Sequence, residues 1–297
     1  MPDRWLVTGG TGQVGKALSR LPLKGIEIAA PTRAELDLAR LPDDLSPFLD
    51  GVSAIINCGA YTAVDRAEEE PALAHSVNAA APGRLADAAA RADIPFIHVS
   101  TDYVFPPDRS GPWSPDETPA PASVYGVTKL KGEQAVRSSG VRHAIIRTAW
   151  VISADGRNFL KTMLALGAQH STLRVVADQH GSPTHAGDLA NALSAVALAM
   201  TKESKFESGT WHCTNAGNTT WHGLASCIFE NASARGMPVP REVLPIPTQD
   251  YPTPARRPMD SRLDCSTLQR DFGLTLRPWQ EAVGETVGIL AGKGAPA

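Results

Sequence analysis

The 297 residues carry 28 Lys and Arg against 31 Asp and Glu, a formal net charge of −3, with 42% hydrophobic and 20% charged residues. That balance suits a chain that buries a core, and it offers no overall attraction to nucleic acid or an anionic membrane. The four cysteines form no Cys-x-x-Cys pair, and His212, Cys213, His222 and Cys227 match no common zinc spacing, so free thiols, packing histidines and no metal are expected.

The chain opens "MPDRWLVTGG", going straight into a probable strand with no basic and apolar signal segment, which points to a cytoplasmic protein. "LVTGGTGQVGKAL" follows, with Gly9, Gly12 and Gly15 at G-x-x-G-x-x-G spacing. In a dinucleotide-binding turn, such glycines permit a tight bend, close approach of a pyrophosphate and close strand–helix packing. "IEIAA", "AIINCG", "PFIHVS" and "HAIIRTAW" read as further strands buried on both faces. Among the helical stretches between them, "PALAHSVNAAAPGRLADAAARA" contains Pro82, which should kink or divide it. This alternation predicts an α/β architecture, a Rossmann-like doubly wound parallel sheet over residues 1–150.

From residue 151 to 297 the texture changes to that of a smaller α/β lobe, mainly substrate-binding, with segments able to return to the sheet. "FLKTMLALGA", "HAGDLANALSAVALAM", "WHGLASCIFENASARG" and "RPWQEAVGETVGILAG" read as helices, and "LRVVAD" as a strand. "VLPIPTQDYPTPARRP" reads as a proline-rich loop of the kind that carries ligand contacts. The longest apolar run, "LANALSAVALAM", is too short to span a bilayer.

Two places carry candidate chemistry. The second strand ends without the acid that would bind adenosine ribose hydroxyls and offers Thr32 and Arg33, a lean towards NADPH, although Arg33 could equally be a solvated surface residue. The fourth strand ends in Ser100–Thr101, where doubly wound sheets bind ligands, and Tyr125-x-x-x-Lys129 follows. On a helix both side chains face one way. A nearby ammonium lowers a phenol's pKa, so that the phenol can protonate an oxyanion held by a threonine hydroxyl.

Gly9, Gly12, Gly15, Thr101, Tyr125 and Lys129, in that order, resemble the extended short-chain dehydrogenase/reductases. More narrowly, "AVDRAEEEP", "STDYVF", "VYGVTKLKGE", "DQHGSPT" and "YPTPARRP" are similar to the dTDP-4-dehydrorhamnose reductases, and such stretches span almost the whole chain. The resemblance implies reduction of dTDP-4-dehydro-L-rhamnose to dTDP-L-rhamnose by NADPH or NADH, the last step of dTDP-rhamnose biosynthesis. It implies Tyr125 as proton donor, Lys129 tuning its pKa and holding the nicotinamide ribose, and Thr101 and Asp102 on the sugar keto group. Gly12, Gln13 and Val14 would meet the cofactor phosphates, Gly59, Ala60 and Tyr61 the adenosine side, and Asp37 and Leu38 the adenine. Tyr103 and Trp150 would lie near the sugar, and Arg257 would pair with the substrate's diphosphate. The partner is a small molecule, without nucleic acid or membrane, in a monomer or weak homodimer. Lys16 stands where some members place a Glu tied to a magnesium-linked dimer, so that kind of dimer is not expected.

Other residues have simpler readings. His98 reads as a core residue, Asp65 and "RAEEEP" as a solvated helix entry, and Trp211, Trp221 and Trp279 as the smaller lobe's core. Either Arg256 or Arg257 could be the working arginine. Rival functions are another sugar-nucleotide 4-keto reductase or epimerase on the same scaffold, and a non-catalytic nucleotide-binding regulatory subunit.

Overall fold

The computed structural model describes residues 3–202 and 206–293. The first half runs β1 (Asp3–Thr8), α1 (Gln13–Ser19), β2 (Ile26–Ala29), α2 (Ser46–Leu49), β3 (Val52–Asn57) and α3 (Val64–Glu69). It continues through α4 (Pro71–His75), α5 (Ala81–Arg91), β4 (Phe96–Thr101), α6 (Val124–Ser138) and β5 (His143–Thr148). In the second half come β6 (Val151–Ile152), α7 (Phe159–Gly167), β7 (Thr172–Val176), β8 (His180–Gly181), β9 (Thr184–His185) and α8 (Ala186–Lys202). β10 (Gly209–His212), β11 (Thr219–Thr220), α9 (Trp221–Ser233), β12 (Glu242–Ile246), α10 (Ser266–Phe272) and α11 (Trp279–Lys293) complete the described chain.

Six parallel strands form the central sheet in the order β10-β5-β4-β3-β1-β2. Alternate residues of each strand point to opposite faces. Trp5, Val7, Ala54, Ile56, Ile97, Ala144 and Ile146 pack on one side with α8, whereas Leu6, Ile55, Phe96 and Ile145 pack on the other with α5 and α6. Both faces are buried, which is why these strands read as continuous apolar runs. The strand order reverses between β1 and β3, and the crevice beyond their C-terminal ends is where such sheets take ligands.

Three sequence expectations change here. First, the division expected at Pro82 takes the form of a π-turn rather than an open break. Residues Ser76–Ala80 form a π-turn between α4 and α5, and Pro82 lies in the first turn of α5. Proline cannot donate the bond that the Asn78 carbonyl would otherwise accept. That carbonyl instead packs against Gly132 of α6, where any β-carbon would clash with it. Second, part of the proline-rich loop is a strand, because β12 pairs in parallel with β7. Third, "GTWH" forms the sheet's edge strand, so Trp211 joins the sheet's core rather than that of the smaller lobe.

α7, α9 and α11 pack together with β7 and β12 around a separate core that includes Leu160, Leu224, Ile228, Trp279 and Val283. No described helix is long and apolar enough to cross a membrane.

Candidate active site

A cleft of about 1010 Å³ runs along the C-terminal ends of the central strands and is closed on its far side by segments of the second half. Of the residues singled out in the sequence, Gly9, Gly12, Gln13, Val14, Gly15, Arg33, Asp37, Leu38, Gly59, Ala60 and Tyr61 line one end of it. Thr101, Asp102, Tyr103, Tyr125, Lys129, Trp150 and Arg257 line the rest. Thr32 does not line it. That residue is exposed, and its N–H donates to Glu35 at 2.7 Å.

The glycine turn is built by steric necessity. Gly9 has φ +71°, and a β-carbon there would lie 2.6 Å from the Gly59 Cα. The Gly12 N–H donates to the Gly9 carbonyl at 2.9 Å, and Gly15 faces the same carbonyl too closely for any side chain. On the neighbouring rim Arg33 pairs with Asp37 at 3.3 Å while remaining largely exposed. Asp37 also accepts from the Ala39 N–H at 3.0 Å, which fixes the turn carrying Leu38. A glycine turn without side chains, continuous with a long crevice over the strand ends, fits a dinucleotide.

At the centre of the cleft, Ser123 caps α6 by accepting from the Gly126 N–H at 3.2 Å, which aims the first turn of that helix at β4. Tyr125 and Lys129 share the inward face, buried to 9% and 2% exposure. Burial pushes the Tyr125 phenol above its ordinary value against a lowering hydrogen bond from Thr101, so the phenol holds its proton at neutral pH. Burial pulls Lys129 down to about 8, opposed by the charge of Glu133. The lysine Nζ donates to the Val99 carbonyl at 2.7 Å. Thr101 lies beside the phenol on the same wall of the cleft.

Thr101 donates to the Asp102 carboxylate at 2.8 Å and accepts from the Tyr103 N–H at 3.2 Å. Burial raises Asp102 to about 6, and its Oδ2 has no hydrogen-bond partner among the described residues. Tyr103 meets Tyr125 edge-on, with ring centroids 5.4 Å apart. Arg257 donates to the Tyr103 hydroxyl at 3.0 Å and to Asp65 at 2.5 Å. Asp65 thus anchors Arg257 instead of merely soliciting solvent at a helix entry. Arg256 faces outward and pairs with Asp108 at 2.6 Å.

Trp150, at φ +46°, stacks on Trp221 at 3.5 Å and 9°, and both line the cleft. Trp221, expected in the lobe core, lies instead on the cleft wall, a place with no signal in the sequence. Two buried partners beneath α6, Glu133 and Arg147, carry no motif in the sequence. Glu133 accepts from Ser100 at 2.6 Å and from Arg147 Nε and Nη2 at 2.9 and 2.8 Å, which ties the helix to β4 and β5. Glu133 lies four residues beyond Lys129, so its helical spacing was the available clue. His98 is a core residue as expected, with Nδ1 2.9 Å from Asn57.

A doubly wound sheet, a glycine turn at its switch point and a buried Thr–Tyr–Lys set on the facing wall together define an extended short-chain dehydrogenase/reductase. The family model described as the RmlD substrate binding domain matches residues 3–291. A dTDP-4-dehydrorhamnose reductase of Burkholderia thailandensis is 42% identical over 290 residues, covering 94% of this chain and 96% of the relative. The structure of a dTDP-4-dehydrorhamnose reductase from Clostridium acetobutylicum superposes with a TM-score of 0.88 at 36% identity, over 97% of this chain and 99% of that one. That of the Bacillus anthracis reductase in complex with NADP gives a TM-score of 0.86 at 32% identity, over 96% and 99%. The chain belongs to the dTDP-4-dehydrorhamnose reductase family.

Proposed function

We propose that this protein reduces dTDP-4-dehydro-L-rhamnose to dTDP-L-rhamnose with NADPH or NADH, the last step of dTDP-rhamnose biosynthesis. The observation that carries this reading is the buried Thr101–Tyr125–Lys129 set in the same cleft as the glycine turn. A nicotinamide cofactor, when bound, supplies the hydride.

The chain's own residues do the rest. Gly12, Gln13 and Val14 receive the phosphates, Gly59, Ala60 and Tyr61 the adenosine side, and Asp37 and Leu38 flank the adenine. Arg33, on the rim, faces a ribose phosphate and favours NADPH. Tyr125, protonated at neutral pH, delivers its proton to the sugar's C4 oxygen. Thr101, with Asp102 beside it, steadies that sugar oxygen, and Tyr103 lies near the sugar. The Lys129 ammonium, held close to β4, provides the positive charge that favours the phenolate over the phenol as the proton leaves. Trp150 and Trp221 wall off the sugar side from water, and Arg257, already oriented by Asp65, meets the substrate's diphosphate with its fork. The enzyme works as a monomer or weak homodimer on a small molecule in the cytoplasm.

Incubation with NADPH and freshly generated dTDP-4-dehydro-L-rhamnose should consume cofactor and yield dTDP-L-rhamnose, seen as loss of absorbance and by product analysis. Cofactor binding without any oxidation by this sugar nucleotide would defeat the assignment.

A further inference from the structure

The cleft wall carries five cationic side chains, Arg33, Arg66, Lys129, Arg157 and Arg257. Four have acceptors within the protein: Asp37 at 3.3 Å, Glu70 at 2.5 Å, the Val99 carbonyl at 2.7 Å and Asp65 at 2.5 Å, respectively. Arg157 has no hydrogen bond or ion pair among the described residues. A guanidinium on a cleft wall with every donor uncommitted can take an anion without first breaking a bond.

Its position says which anion. Arg157 belongs to the segment joining β6 to α7, and that segment is docked on the glycine turn at three points. Asn158 donates to the Gln13 side chain at 2.8 Å and to the Ser153 carbonyl at 2.7 Å, and as the cap of α7 accepts from the Lys161 N–H at 3.0 Å. A β-carbon on Gly156, at φ +66°, would stand 3.0 Å from the Gln13 Cγ, so the segment approaches the turn closely. Asp155 accepts from Arg20 at 3.2 Å and lies 3.9 Å from Lys16, the first capping and the second within the helix that follows the turn. Asn158 and Asp155 hold the backbone on either side of Arg157, while Arg157 itself is left free.

We propose that Arg157 binds the diphosphate of the nicotinamide cofactor from across the cleft, so that the second lobe supplies the cationic half of a site whose other half is the glycine turn. The inference rests on the function proposed above. It concerns the cofactor's diphosphate and not the substrate's, because the segment is anchored to Gln13 rather than to the Asp65–Arg257 end of the cleft.

The test compares full-length wild type with Arg157→Ala and Arg157→Lys, titrating NADPH, NADH and dTDP separately by quenching of tryptophan fluorescence. Arg157→Ala should raise the Kd of NADPH and NADH by a common factor, roughly five- to tenfold. Arg157→Lys should recover part of the loss, since an ammonium keeps the charge without the fork. The dTDP Kd should stay put, and the cofactor effect should shrink with added salt. An unchanged cofactor Kd in Arg157→Ala would overturn the proposal, as would a loss confined to dTDP or to NADPH alone. Wild type binding neither cofactor would remove the proposed function as well, which separates the two failures.

Discussion

Lys129 shows how the site trades stability for chemistry at a single residue. The side chain is 2% exposed and its pKa sits near 8 instead of its ordinary 10.5, because burial opposes the charged form. Keeping it protonated at neutral pH costs the fold about 3 kcal/mol, partly offset by the hydrogen bond to Val99, worth about 1–3 kcal/mol. The pH dependence has a definite sign. Between about 8 and 10.5 the unfolded chain keeps this proton and the native protein has lost it, so raising the pH through that window relieves the cost. Lys129→Met should therefore melt higher than wild type at pH 7 while losing activity, with the gain shrinking by pH 10. Paired thermal melts at the two pH values check this. A gain of equal size at both, or none at pH 7, would mean that the ammonium is not held at a cost.

Elements were legible in proportion to how far their signal was local. β1 and β3 to β5 announce themselves as apolar runs because both faces of a parallel sheet are buried, and Tyr125 and Lys129 share a face because a helix brings i and i+4 to one side. The π-turn at Ser76–Ala80, the pairing of β12 with β7 and the return of β10 to the sheet all depend on partners far away in sequence. A four-residue strand ending in Trp211 and His212 has too little pattern to be seen alone, and a proline in "VLPIP" masks an edge strand. α6 is held at its base by such a distant contact. Gly132 abuts the Asn78 carbonyl, and Asn78 also donates to the Tyr61 carbonyl at 3.1 Å and to Thr128 at 3.2 Å. In an exposed helix, Gly→Ala would gain about 1 kcal/mol. Here Gly132→Ala should instead lose about 1–3 kcal/mol, as overpacking does. Urea denaturation measures the difference, and a variant more stable than wild type would show that the approach is not tight.

At the scale of the molecule, the chemistry is assembled from both halves of the chain. The sheet presents the glycine turn, Thr101 and the Tyr125–Lys129 face, and those parts could be assigned from motifs whose spacing is local. The second half, with the turn leading into it, contributes Trp150, Trp221, Arg157 and Arg257 from separate segments, and of these only Trp150 and Arg257 could be named from sequence, through the family resemblance. Trp221 looked like core because a tryptophan on an amphipathic helix usually is, and only its 3.5 Å stack on Trp150 reveals the cleft wall. Arg256 and Arg257 were indistinguishable until Asp108 and Asp65 were seen to claim one each.

In the proposed reaction this cleft reduces a keto sugar with Tyr125 as its acid. The most direct test follows NADPH oxidation by wild type and by Tyr125→Phe with saturating dTDP-4-dehydro-L-rhamnose, and measures the NADPH Kd of each. Loss of the phenol's proton should lower kcat by about two to four orders of magnitude while the NADPH Kd stays within about twofold. A Tyr125→Phe enzyme that keeps most of the wild-type rate would show that the proton comes from elsewhere and that Tyr125 is not the acid.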